Sequence, residues 1–351
     1  MMKLGLALGG TMITRDNLRY ARQMGVTHIV LHLTDYGKDS SKLPDYARGA
    51  AGFTGSPAVW SYDDLRDLRK MVNDAGLVLE ALENFNPYFW YDVLLDGPRK
   101  QEQMESLKRL IRDVGRVGIP TFGYNFSMAG VWGLTSQPLA RGGANTAAFQ
   151  HPEQTPIPNG MVWNMIYDPS APAGTIGPVT REQLWQRVAY FLREILPVAQ
   201  EAGVVMAAHP DDPPMPELRG TPRLVHQPRI YQDLFDLVPS PNSKAELCIG
   251  TLTEMSEGGV YEAVDRYSKA GKIAYVHLRN VRGKVPDYVE VFVDEGELDV
   301  PRVLQILHKN GYQGVVTPDH TPAVDCPAPW HAGMAFQLGY IKSLIDQLNR
   351  Q

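Results

Sequence analysis

KAGKIAYVHLRN, residues 269–280, sets the pattern of the whole chain. A helical stretch runs into Ala270, Gly271 ends it, and a short apolar run follows that closes on His277 and Arg279. Helix, glycine, strand is the ordinary connection of alternating folds, because glycine accepts the left-handed backbone that stops a helix. The form recurs in MGVTHIVL (24–31), DAGLVLEAL (74–82), EAGVVMAA (201–208) and KNGYQGVV (309–316).

Working outward, eight runs read as buried parallel strands: KLGLALG (3–9), THIVLHL (27–33), LVLEALE (77–83), IPTFGYN (119–125), VVMAAHP (204–210), AELCIG (245–250), IAYVHLRN (273–280) and GVVTPDH (314–320). Near-continuous apolar content over ~4–8 residues suits a strand covered on both faces. Helical patterns lie between them, at 14–24, 61–75, 98–115, 180–202, 229–238, 260–270, 300–310 and 334–348. Ser61 and Thr180 are N-cap residues, and Gln183 completes a capping box with Thr180. Strand and helix alternating eight times predict an α/β chain, a single-domain (β/α)8 TIM barrel over 1–351. The alternative is an open doubly wound sheet, but no G-x-G-x-x-G follows the first strand. Two long polar stretches follow the second and fourth strands, residues 37–57 and 130–179. Both fall on the side where barrels carry their sites, so a lid insertion or an oligomer contact is expected there.

The net charge is −5 with no long single-sign run, which gives no footing to nucleic acid or an anionic membrane as partner. No run approaches ~18–20 apolar residues, and the start lacks a signal-peptide apolar core. Two cysteines, Cys248 and Cys326, fit a reducing compartment. The expectation is a cytoplasmic homo-oligomer acting on a small molecule.

The chemistry gathers at the ends of the late strands. The fifth ends in His209, the sixth carries Cys248, the seventh His277, the eighth Asp319 and His320. In a barrel these ends meet at one mouth. Two imidazoles, a thiolate and a carboxylate suit a divalent transition metal better than Ca2+ or Mg2+ alone. His320, Asp319 and Asp211 are the candidate catalytic groups. Asp211 and Asp212 follow His209 directly and can orient a ligand imidazole or take a substrate hydroxyl. Asn125, Arg223, Arg279, Asn280 and His331 are candidates for substrate binding, the arginines because a guanidinium fork matches a carboxylate.

At these residues the chain resembles the mannonate dehydratase family of xylose-isomerase-like barrels. HPDDPP with a following PRLV, ELCIGT, YVHLRN and PDH carry the resemblance, joined upstream by VWSYDDL, DAGLVLEALE and GYNF. The resemblance implies removal of water from D-mannonate, giving 2-keto-3-deoxy-D-gluconate. It implies Mn2+, with Mg2+, Co2+ or Fe2+ as substitutes, held by His209, Cys248, His277 and Asp319, and His320 moving a proton. Departures lie near the substrate end. PAPWHAGMAF places Trp330 and His331 where the family has a tyrosine and Met334 near its arginine, and Val293 stands where the family has a histidine. The alternatives are a sugar isomerase or epimerase of the same barrels, or a non-catalytic barrel that binds a sugar acid with a metal. Asp-His on the last strand and Cys on the sixth favour the dehydratase.

Overall fold

The computed structural model describes residues 1–33, 59–150 and 154–350, so the stretch 37–57 lies outside the described residues. Eight parallel strands close on themselves. They are β1 (Lys3–Gly9), β2 (His28–His32), β3 (Val78–Glu83), β4 (Thr121–Tyr124), then, beyond a hairpin described below, β7 (Val205–Ala208), β8 (Ser243–Cys248), β9 (Ile273–His277) and β12 (Val315–Thr317). The barrel order is β1-β12-β9-β8-β7-β4-β3-β2. Around it lie α1 (Arg15–Gln23), α2 (Tyr62–Asp74), α3 (Pro87–Leu95), α4 (Lys100–Val117), α5 (Arg181–Ala202), α6 (Ile230–Leu237), α7 (Ile249–Glu254), α8 (Val260–Lys269), α9 (Val300–Lys309) and α10 (Pro329–Asn349). All eight expected strands and helices are present, with shifted ends. The expected Thr180–Gln183 capping box forms, and the Ser61 cap proves to be a box as well, with Asp64 as its carboxylate.

Two features depart from the sequence reading. Part of the stretch 130–179 is not loop. Leu134–Ala140 (β5) and Ala144–Gln150 (β6) make a hairpin, turned by Gly142 and Gly143, both at positive φ. The run IAYVHLRN is not one strand either. It stops at His277, and a second hairpin, β10 (Asn280–Lys284) and β11 (Asp287–Val291), begins at Asn280. The two hairpins join as a four-stranded antiparallel sheet, β10-β11-β6-β5, outside the barrel. LTSQPLA and ANTAAFQ read as loop because they are polar on the open side, and β5 carries a proline. A sheet that buries one face does not need more.

Strand pairing puts inward side chains in layers. Val30 pairs with both Ala7 and Ala81, and Tyr275 pairs with Val315 and Glu246. Two residues on, toward the mouth, come Gly9, His32, Glu83, Cys248 and His277, because side chains alternate with period two. Small residues in the lower layer leave room for Glu246 and Tyr275. Gly123 of β4 is a tight case: a β-carbon there would lie 2.4 Å from Glu246 Oε2, 2.5 Å from Tyr275 Oη and 3.2 Å from Glu83 Cγ. Gly123→Ala is therefore expected to cost about 1–3 kcal/mol of stability, the usual cost of overpacking. The check is a lower urea midpoint at unchanged slope; an unchanged midpoint contradicts this packing.

Candidate metal centre and substrate cavity

His209, Cys248 and His277 offer ligand atoms that all lie within 4.8 Å of one another. His209 follows β7, Cys248 and His277 end neighbouring strands, and Asp319 follows β12 by two residues. Asp319 Oδ2 lies 3.8 Å from Cys248 Sγ and 3.8 Å from His277 Nδ1. The four side chains expected to share an ion are thus gathered at one point of the mouth.

Each ligand is aimed by something behind it. His209 Nδ1 sits 2.6 Å from the Pro210 carbonyl oxygen, so it carries the proton and leaves Nε2 as the donor nitrogen. His277 turns Nε2 toward Glu83 Oε2 at 3.3 Å and Glu246 Oε1 at 3.5 Å. Its Nδ1 is buried without a hydrogen-bond partner on the Asp319 side. A carboxylate behind a ligand imidazole is the arrangement that sets the tautomer of metal-bound histidine. His32 Nε2 holds Glu83 Oε2 from the other side at 2.9 Å. Thr251 Oγ1 lies 3.1 Å from Cys248 Sγ.

The electrostatics call for a cation. Burial opposes charge on Cys248, yet the Arg279 guanidinium and the His209 and His277 imidazoles bring its thiol down to about 6. Burial likewise works against a charged His209, but Glu246 and Cys248 push it up to about 10. Glu246 is driven well above the carboxylate range by burial and by the neighbouring Glu83. Against burial, the carboxylates and the thiol around them favour the charged form of the His209 and His277 imidazoles. A divalent ion on the N, N, S, O set satisfies the same need, and the donors suit Mn, Fe, Co or Zn.

The cavity over the cluster encloses about 560 Å³. His32, His209, His277 and His320 line it, and no lysine or arginine does among the described residues. Asn125 lines it too; its Nδ2 donates to the Pro210 carbonyl, while its Oδ1 is buried without a partner and free for a substrate hydroxyl. His320, also in the wall, is tied through Nδ1 to Glu290.

Other residues expected at the substrate are spent inside the protein. Arg223 donates to Ser127 Oγ, to the Gly130 and Asp212 carbonyls, and pairs with Asp211 at 3.0 Å. Asp211 Oδ2 accepts the Leu224 and Val225 amides at 2.7 Å each. That pair folds HPDDPP onto PRLV and does not line the cavity. Asn280 donates to the Val293 and Leu298 carbonyls, clamping the turn after β11. His331 Nε2 contacts Asn17 Oδ1 at 2.9 Å and ties α10 to α1, while Trp330 beside it lines the cavity. Arg279 lies behind the ligands: Nε donates to Asp319 Oδ2 at 3.0 Å, and its terminal nitrogens reach Asp212 and Glu254. The sequence reading missed Glu83, Glu246, His32, Glu254 and Glu290. A charge inside an apolar strand, as in AELC, was the available signal for Glu246.

Fold and ligand set together define a barrel enzyme that works with a divalent cation. The family profile described as D-mannonate dehydratase (UxuA) matches residues 2–350. The chain belongs to the D-mannonate dehydratase family and is a hydro-lyase. It is similar to the mannonate dehydratase of Geobacillus thermodenitrificans, 29% identical over 319 residues, covering 81% of this chain and 84% of that protein. The mannonate dehydratase of Thermotoga maritima is 27% identical over 283 residues, covering 75% of this chain and 78% of that one. The solved mannonate dehydratase of Streptococcus suis superposes with a TM-score of 0.80 at 24% identity, covering 99% and 94% of the two chains. A solved L-ribulose 3-epimerase shares the barrel at a TM-score of 0.58 and 14% identity, covering 100% and 96%.

Purified protein is expected to hold about one divalent transition metal per chain, as a single N/S/O ligand set allows. Cys248→Ala and His277→Ala are expected to lower that content severalfold by elemental analysis, and full metal in both variants contradicts the site.

Proposed function

We propose that this chain, as one barrel domain, removes water from D-mannonate or a closely related sugar acid, and that the resident ion is Mn2+. The observation that carries the reading is the convergence of His209, His277 and Asp319 beside His320 in the wall of one cavity, with Cys248 buried against them. Family membership supports the reaction class.

When bound, a divalent ion supplies Lewis acidity toward the substrate carboxylate and its neighbouring hydroxyl. The chain's own groups do the rest. No lysine or arginine lines the described wall, so there the substrate's negative charge meets the cation and the imidazoles. His320 Nε2 lies 3.4 Å from Asp319 Oδ1, at the rim of the ligand set. From there it takes the proton from the carbon next to the carboxylate. The hydroxyl on the following carbon leaves as water with the proton that His320 hands on, and the enol that remains settles as the 2-keto-3-deoxy acid. Asn125 Oδ1 accepts from a substrate hydroxyl, and the hairpin residues Asn145 and Thr146 face the same space. Trp330 fills part of the wall where the family carries tyrosine, so the hydroxyl pattern that is accepted is set partly by an apolar surface.

A cytoplasmic location and assembly as a homo-oligomer belong to the same reading. Among the described residues no helix is long and apolar enough to cross a membrane.

The test is turnover of D-mannonate and a panel of aldonic acids with Mn2+, followed by a colour assay for 2-keto-3-deoxy acids. His320→Asn is expected to keep its metal and lose at least about 10²-fold in kcat, the scale of a lost general base. Wild-type rates in that variant remove His320 from the chemistry, and no product from any sugar acid overturns the reaction.

A further inference from the structure

The base in this reading is held by a residue from outside the barrel. His320 sits just past β12 with its side chain 40% exposed, so packing alone leaves the ring room to turn. Two of its contacts set its placement, beside the approach of Nε2 to Asp319 Oδ1. Gln337 of α10 donates to the His320 carbonyl oxygen at 2.7 Å, which fixes the backbone. Glu290 of β11 fixes the ring: its oxygens lie 2.8 and 3.0 Å from His320 Nδ1.

Glu290 is itself well anchored. It is 3% exposed, and its carboxylate lies 3.4 Å from Arg279 Nη1. Its main chain is pinned from both sides of the antiparallel sheet: it pairs with Val281 of β10, and its carbonyl oxygen accepts from Thr146 Oγ1 of β6 at 2.8 Å. An ionised carboxylate only accepts hydrogen bonds. With Glu290 on Nδ1, that nitrogen must carry a proton, and Nε2 is the nitrogen turned to the cavity side, 3.4 Å from Asp319 Oδ1.

We propose that Glu290 is the positioning residue of the dehydration site, fixing both the tautomer and the angle of His320. The same Arg279 grips Asp319 through Nε and Glu290 through Nη1, so the metal ligand and the base are set by one guanidinium. The antiparallel sheet, built from the hairpin after β4 and the hairpin after β9, then has a catalytic reason to exist: it carries Glu290 to the barrel mouth. This inference rests on His320 being the base.

The decisive variants are Glu290→Gln and Glu290→Asp. Glutamine fills the same space and still bonds, but its amide N–H can face Nδ1 and reverse the tautomer; aspartate keeps an acceptor-only group. Glu290→Gln is expected to keep its metal content, hold KM within about twofold and lose on the order of 10²–10⁴ in kcat, the range of general-base and tautomer effects. Glu290→Asp is expected to recover most of that loss. A glutamine variant with wild-type kcat, or an aspartate variant no better than glutamine, overturns the proposal. A second readout does not need turnover. A long-range proton–nitrogen spectrum of the Zn2+-loaded protein is expected to show His320 protonated at Nδ1, and Glu290→Gln to move that proton to Nε2. The same tautomer in both proteins overturns the proposal. If wild type turns over no sugar acid, the dehydratase reading falls while the spectrum still decides the role of Glu290.

Discussion

One buried guanidinium organises the mouth of this barrel. Arg279 is 1% exposed and faces Asp319, Asp212, Glu254 and Glu290, with Thr251 at 3.1 Å. A charge buried at that depth is costly unless its partners are complete. Here they come from four places: the turn after β7, α7, β11 and the end of β12. Only a flat fork with five donors reaches so many at once, and a lysine ammonium does not. The route for the side chain is cleared by Gly250, where a β-carbon would lie 2.3 Å from Arg279 Cγ. Removing the arginine would leave several buried carboxylates without a counter-charge and would free Asp319 from the ligand set.

That hub explains why the sequence was readable in some places and opaque in others. The barrel was legible because most αβ junctions repeat one local device, a glycine after a helix and an apolar run after the glycine. The proximity of His209, Cys248, His277 and Asp319 was legible because they stand at or just past strand ends, and barrel geometry brings strand ends together. Distance in the chain did not matter. Arg279 and Arg223 misled for the opposite reason. An arginine at a strand end reads as a hand held out to a substrate, and nothing local reveals carboxylates brought in from elsewhere. Asp212 and Glu254 are 67 and 25 residues away from Arg279 in sequence. Glu290 was invisible because its strand belongs to a sheet whose other half, residues 134–150, looks like loop.

The corrections sharpen the functional reading. With Arg223, Arg279, Asn280 and His331 turned inward, the described cavity offers a sugar acid imidazoles, amides and small hydroxyls, and no fixed positive side chain. The barrel supplies the ligands and the outer sheet supplies Glu290. Family membership, ligand geometry and the orientation of His320 each bear on a different link of that chain.

The central claim is that one ion is shared by two imidazoles, a carboxylate and the Cys248 thiolate. Its most direct measurement is a Co2+ titration of the metal-free protein, read by near-ultraviolet absorption. A thiolate-to-cobalt charge-transfer band is expected to rise until one equivalent is bound and to be missing in Cys248→Ser, where the weaker d–d bands persist. Saturation at one equivalent with no charge-transfer band would show that Cys248 is not a ligand and would contradict the site described.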